Sequence, residues 1–289
     1  MNIIEIKNLT KYYGKIRGVI DLSLDLVKGE IFGFIGPNGA GKSTTIRSIL
    51  NLVNKTSGEV LFNGRPLEKN DILSKRLIGY LPSEVHVYED LTVKQMLDFH
   101  EQIFKEDLSI RRKELVERLQ LDETKKVEEL SFGNLKKVGI VLALMHNPEF
   151  VILDEPTSGL DPIIQKEFFN ILLEEKQKGT TIFYSTHVLS EVSKICDRVG
   201  IIKNGQLLKV EPVKELIDKN LSYITITSKD SNKIITDLGI DTISSSDNTI
   251  VFKNTDNAND LLKKLVKYDI ENIYIEQAPI EDIFLHYYE

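Results

Sequence analysis

The stretch GPNGAGKST, Gly36 to Thr44, sets three glycines, a lysine and two hydroxyl residues within nine positions. Gly36, Gly41, Lys42 and Ser43 satisfy the spacing G-x-x-x-x-G-K-[ST], after the apolar run EIFGFI and before a helical pattern, KSTTIRSILNLV. Strand, loop and helix in that order are the context in which this spacing binds phosphate. Glycines admit left-handed backbone and close approach, so the N–H groups of the loop formed by Gly36, Pro37, Asn38, Gly39, Ala40 and Gly41 can wrap a phosphate chain. Lys42 brings a positive charge to it, and Thr44 belongs to the same nucleotide-binding set. The Ser43 hydroxyl is placed to ligate Mg2+.

A second group of residues suits the same chemistry. FVILDEP, residues 150–156, is four apolar residues running into two acids. A buried parallel strand would deliver Asp154 at its carboxyl end, beside the phosphate loop, to hold Mg2+ directly or through water. Glu155 can polarise an attacking water as a general base. Taken alone, the run also reads as a buried strand ending in solvated acids. Further along, LSFGN places Ser131 as the N-cap of an apolar helix, with Gly133 and Asn134 in its first turn. A helix start with free N–H groups attracts anions, and it is equally an ordinary helix cap.

These residues need a scaffold, and the hydrophobic pattern supplies one. NIIEIKNL, DLSLDLV and EIFGFI read as strands, GEVLFNG as a strand closed by an Asn-Gly turn. TVKQMLDFHEQIF and IRRKELVERLQ read as helices. FVILDE and TTIFYST are strands flanking a helix from Pro162 to Glu175, and RVGIIKNGQLLKV is a hairpin on Asn204-Gly205. The alternation indicates an α/β fold with a mainly parallel core sheet, an N-terminal antiparallel β part and a helical subdomain at about 85–146. From about residue 219 the texture changes to Ile, Thr, Ser and Asn, giving a small α+β accessory domain over 219–289 after a main domain over 1–218. Within it LSYITITSKDSN opens the segment, ANDLLKKLVKY is helical and ENIYIEQ a strand.

Bulk properties narrow the class. The 289 residues are 41% hydrophobic and 28% charged, with 37 basic against 44 acidic side chains, a net charge of −7. That composition fits a folded globular protein and argues against a broad nucleic-acid-binding face. Cys196 is the sole cysteine; it reads as a buried thiol, which builds no disulfide and fits a reducing compartment. No apolar run approaches the ~20 residues of a membrane span, and the N-terminus lacks the basic start and apolar core of a signal peptide. A cytoplasmic location is expected, with any membrane work borrowed from a partner.

With these motifs in this order, residues 1–218 resemble the nucleotide-binding subunits of ATP-binding cassette (ABC) transporters, P-loop NTPases of the ABC cassette type. GPNGAGKST stands as the Walker A motif, FVILDE as the Walker B and LSFGN where the LSGGQ signature belongs. SGLD, with Asp161, matches the D-loop, His187 the switch histidine, and Tyr13 the aromatic that stacks on adenine. The resemblance implies ATP and Mg2+ as ligands and Glu155 and His187 as catalytic groups. It further implies a head-to-tail pair of cassettes, a homo- or heterodimer, in which Ser131, Gly133 and Asn134 cap the γ-phosphate held by the other Walker A. Blander roles stay open: Tyr13 could pack on a sheet, His187 could be a polar surface residue, and Asp161 before Pro162 is a sound N-cap.

The pattern breaks where the family carries a Q-loop glutamine after YLP. Here Ser83 occupies that place and Glu84 follows; either a water bridges Ser83 to the site or Glu84 substitutes. Phe132 and Asn134 also replace signature Gly and Gln. Val87, Tyr88, Leu91 and Met96 could line a groove for a membrane subunit or lie in the helical core. The resemblance implies an ATPase subunit, peripheral on the inner face of the cell membrane, that energises export by a separate integral membrane subunit. The terminal PIEDIFLHYY resembles the tail of cassettes serving exporters of drugs, antibiotic peptides or lipids. A nucleotide-gated regulator with weak hydrolysis and a soluble, non-transport ABC ATPase are the alternatives; the missing coiled coil and the single cassette count against the latter.

Overall fold

The computed structural model describes residues 1–217, 222–254 and 257–277. The chain divides into two units, Met1–Glu211 and Pro212–Glu289, with the seam seven residues before the compositional change at 219. The first unit runs β1 (Asn2–Tyr13), β2 (Ile16–Val27), β3 (Ile31–Ile35), α1 (Lys42–Ile49), β4 (Ser57–Phe62), β5 (Arg65–Pro66), α2 (Ile72–Lys75), β6 (Ile78–Leu81), α3 (Val93–Phe104), α4 (Ser109–Arg118), α5 (Phe132–Leu144), β7 (Phe150–Asp154), α6 (Pro162–Gln177), β8 (Thr181–Thr186), α7 (Leu189–Ile195), β9 (Arg198–Lys203) and β10 (Gln206–Pro212).

A six-stranded sheet in the order β10-β9-β3-β8-β7-β6 forms its centre. Strands β3, β6, β7, β8 and β9 run parallel. Such strands are covered on both faces, which is why β3 and β7 read as near-continuous apolar runs and all six residues of β8, TIFYST, are buried. Along β7 the period of two still sorts side chains: Phe150 and Ile152 join one core with β1, β2, β4 and α1, while Val151 and Leu153 join another with α5 and α6. A four-stranded antiparallel sheet, β2-β1-β4-β5, closes the first of these cores. Two of the Asn-Gly pairs sit where both residues have positive φ, 49° and 75° at Asn63-Gly64 and 54° and 77° at Asn204-Gly205, the two-residue hairpin geometry.

The helical stretch lacks a core of its own, because Leu97, Leu115 and Val138 share one cluster with Leu153, Phe168 and Tyr184. Thr92 and Gln95 cap α3 reciprocally at 2.9 and 3.2 Å. Arg111 reaches Glu175 at 2.5 Å and Arg118 reaches Glu174 at 2.5 Å, fastening α4 to α6. Of the groove candidates, Met96 is buried, and Val87 is half-buried against that core. Tyr88 is exposed, edge-on to Phe99 at 6.0 Å.

Where α3 meets the end of α5, the His146 ring stacks on Phe104 at 4.4 Å and lies 5.7 Å from His100. Burial first, then the neighbouring His100, pushes the His146 pKa down to about 4 from 6.5. Unfolding therefore takes up a proton between those values, so stability falls as pH drops through 6.5 towards 4. Urea unfolding midpoints at pH 7 and pH 5 should differ less in His146→Leu than in the wild type.

The second unit holds α8 (Val213–Ile217), β11 (Ser222–Ser228), α9 (Ser231–Leu238), β12 (Thr242–Ser245), β13 (Thr249–Asn254), α10 (Ala258–Leu265) and β14 (Ile270–Gln277). The sheet order β12-β13-β11-β14, antiparallel throughout, makes this a split βαβ unit. Ile224, Ile226, Ile250 and Phe252 form its core with Ile234, Leu261 and Leu265 from the two helices. The terminal PIEDIFLHYYE lies outside the described residues.

Candidate functional site

Parallel strands end at one edge, and the residues that follow them are gathered there. Gly36 follows β3, Pro82 and Ser83 follow β6, Glu155 follows β7 and His187 follows β8. A cleft of about 460 Å3 at this edge is lined by Tyr13, Arg17, residues 37–39 and 41–44, Ser83 and Glu155, with Ile16 and Gly18 beside them. Sequence reasoning passed over Arg17. Its partner, Asn204 Oδ1 at 3.1 Å, is 187 residues away, so no local pattern announces it.

The loop between β3 and α1 has the shape that its glycines permit. Gly41 caps α1 at φ 112°, which L side chains avoid, and a Cβ there would press on the carbonyl of Gly18. Lys42 Nζ donates to the Gly36 carbonyl at 2.7 Å and lies 3.6 Å from Glu155 Oε1. Its ammonium thus stands between the loop and the acid. Tyr13, at the end of β1, keeps a half-exposed ring at the cleft, with Lys11 Nζ 4.6 Å from its centroid.

Asp154 is buried at the end of β7, where Ser185 Oγ donates to it at 3.1 Å. Burial pushes its carboxyl pKa up, and the neighbouring Glu155 adds to this; hydrogen bonds from the Ser43 and Ser185 hydroxyls and the charge of Lys42 oppose it. A desolvated carboxylate bonded to a hydroxyl is an oxygen-only donor pair, the chemistry that suits a hard divalent cation. Ser43 and Asp154 therefore fit Mg2+. Glu155 adopts φ 48°, a conformation costly for a residue with a side chain and typical of functional sites. Its Oε2 lies 2.8 Å from Nδ1 of the half-exposed His187.

A buried carboxylate that the sequence did not reveal supports this pair. Glu191 on α7 accepts hydrogen bonds from Thr157 Oγ1 at 2.6 Å, Tyr184 OH at 2.9 Å and Thr186 Oγ1 at 3.0 Å. Thr186 Oγ1 accepts from Val188 N at 3.0 Å, so the network fixes the backbone on both sides of His187. It also ties β8 to the turn after Glu155.

Ser131 caps α5, its Oγ accepting from Asn134 N at 3.3 Å, and Asp161 caps α6 by accepting from Ile163 N and Ile164 N at 3.0 Å each. Gly133 has a need beyond ligand approach: a Cβ would collide with the carbonyl of Gly159, and the exposed Phe132 ring covers Gly159 itself. The tip of α5 is thus packed on the SGLD turn. Ser131, Gly133, Asn134 and Asp161 are not among the residues lining the cleft, unlike Tyr13, Lys42, Ser43 and Thr44; Asp154 and His187 do not line it either but join it through Ser43 and Glu155.

A phosphate loop, a buried aspartate bonded to its serine, and a strained glutamate beside a histidine define a P-loop nucleotide hydrolase of the cassette type. Comparison with known proteins gives the same class. The family described as "ABC transporter" matches residues 19–158. An uncharacterized ABC transporter ATP-binding protein of Methanocaldococcus jannaschii is 33% identical over 279 residues, covering 95% of this chain and 98% of its own. The bacitracin transport ATP-binding protein BcrA of Bacillus licheniformis is 38% identical over 240 residues, 81% of this chain and 77% of its own. Among solved structures, the dimeric post-hydrolysis state of an ATP-binding cassette bound to ADP and Pi superposes with a TM-score of 0.66 at 25% identity, over 73% of this chain and 98% of that one. This chain belongs to the ABC transporter ATP-binding proteins, and it is the subunit that binds and hydrolyses ATP. Among the described residues no helix is long and apolar enough to cross a membrane.

Proposed function

We propose that two such cassettes, identical or not, pair head to tail and drive an integral membrane subunit that exports an antibiotic peptide or similar amphiphile. In this reading the chain sits peripherally on the inner face of the cell membrane. The observation that carries the pairing is the separation just described: the cleft holds one half of the required groups, and the capped tip of α5 offers the other half elsewhere on the surface.

Tyr13 stacks on adenine, while the N–H groups of residues 38–44 and the Lys42 ammonium hold the phosphates. Ser43 and Asp154 would hold Mg2+, which when bound would supply positive charge against that of the phosphates. Glu155 takes a proton from water as its oxygen attacks the γ-phosphorus in line with the departing ADP. Its position 3.6 Å from Lys42 Nζ and 2.8 Å from His187 supports that role, and His187 orients the terminal phosphate. The partner cassette presents Ser131, Gly133 and Asn134 at its helix N-terminus, where the dipole favours the developing charge, and Asp161 lies at the seam. Closure excludes water and strengthens each of these interactions.

The proposed cargo class rests on the similarity to the bacitracin transport protein. Its test is susceptibility: a strain deleted for this chain should become at least fourfold more sensitive to bacitracin or a related peptide. The wild-type gene should restore resistance, and Glu155→Gln should not. Unchanged susceptibility across such peptides would contradict the proposed cargo class.

A further inference from the structure

Lys136, on the second turn of α5, interrupts an apolar helix and is 1% exposed. Its ammonium donates to the carbonyls of Pro82 at 3.1 Å and Ser83 at 2.7 Å. The Phe132 ring centroid lies 6.0 Å from Nζ. Beyond Lys136, a Cβ at Gly139 would collide with Leu81 and Val85, and Gly79 of β6 lies against the Ala143 carbonyl. One face of α5 is therefore seated on β6 and its exit loop, and Lys136 is the polar bolt at the end nearest the cleft. Burial lowers the pKa of Lys136, while the charges of Asp154, Glu155 and Glu84 work to keep it protonated.

A serine hydroxyl stands one rotatable bond from its backbone, so its reach is set by where that backbone is held. Ser83 lines the cleft with Lys42 and Glu155. We infer that Lys136 is a positioning residue for ATP hydrolysis, holding the Pro82–Ser83 carbonyls so that the Ser83 hydroxyl faces the reacting phosphate. Because Lys136 rides on the helix whose tip carries Ser131, the same bolt makes the cleft wall and that tip move together.

The test is steady-state hydrolysis of Mg-ATP by the full chain. Lys136→Met should lower kcat at least tenfold with KM within twofold, and Lys136→Arg should recover to within threefold of wild type. Ser83→Ala should also lower kcat. The double variant Lys136→Met/Ser83→Ala should be no slower than Lys136→Met alone, since the hydroxyl is already misplaced. Should Lys136→Met fail to fold, Lys136→Gln, which keeps a donor without the charge, replaces it in the same cycle. Losses that multiply in the double variant, wild-type kcat in Lys136→Met, or an inert Ser83→Ala would each overturn the assignment.

Discussion

Glu155→Gln lowers turnover of Mg-ATP by about a hundred- to ten-thousand-fold, the usual contribution of a positioned general base, and leaves nucleotide binding within about twofold. Glutamine keeps the length and shape of the side chain, so the φ 48° turn and the packing after β7 are undisturbed. What it lacks is an oxygen able to accept a proton from water. Lys42, hydrogen-bonded to Gly36, still receives the phosphates, and Ser43 and Asp154 are unchanged. Under the proposed pairing, cassettes that bind without hydrolysing stay together, so the variant should elute from a sizing column with ATP as a dimer, and the wild type should not. Phosphate release at the wild-type rate would remove Glu155 from the mechanism.

Ser131→Arg brings hydrolysis to background while its own cleft still binds ATP with unchanged affinity. The argument is positional. Ser131 is exposed at the tip of α5, outside the cleft of its own chain. Losing the cap costs about 1 kcal/mol, which a domain of this size survives. Arginine at the tip blocks the N–H groups from a facing phosphate and leaves Lys42, Ser43 and Thr44 intact. Binding measured by a fluorescent ATP analogue and turnover measured by phosphate release should therefore part company in this variant.

The split between what could and could not be read from the chain follows from the physics of each element. Strands β3 and β7 were legible because burial on both faces writes itself as a near-continuous apolar run, β8 because of its β-branched and aromatic residues, and the residues after them inherit a shared edge. The caps at Ser131 and Asp161 were legible because capping is local. In the second unit, α10 and β14 could be read, while α8, β11, α9, β12 and β13 were missed. All four β12 residues, TISS, are exposed, so neither face leaves a hydrophobic trace.

Glu191 and Lys136 were illegible for the opposite reason. Each is a charged residue in a helical segment, which by default suggests solvent, yet each is buried by partners contributed from elsewhere. The Lys136 carbonyls lie 53 and 54 residues away, and Thr157 lies 34 residues from Glu191. Gly133 was legible as a small residue but not for its full reason, since the carbonyl that fills its missing Cβ belongs to Gly159.

All of this depends on two chains completing each reaction centre. The direct measurement is ATPase activity per chain across a dilution series of the full-length protein, with light scattering on the same samples. Activity per chain should rise with concentration and follow the dimer fraction. Constant activity per chain, maintained where scattering detects monomers alone, would contradict it.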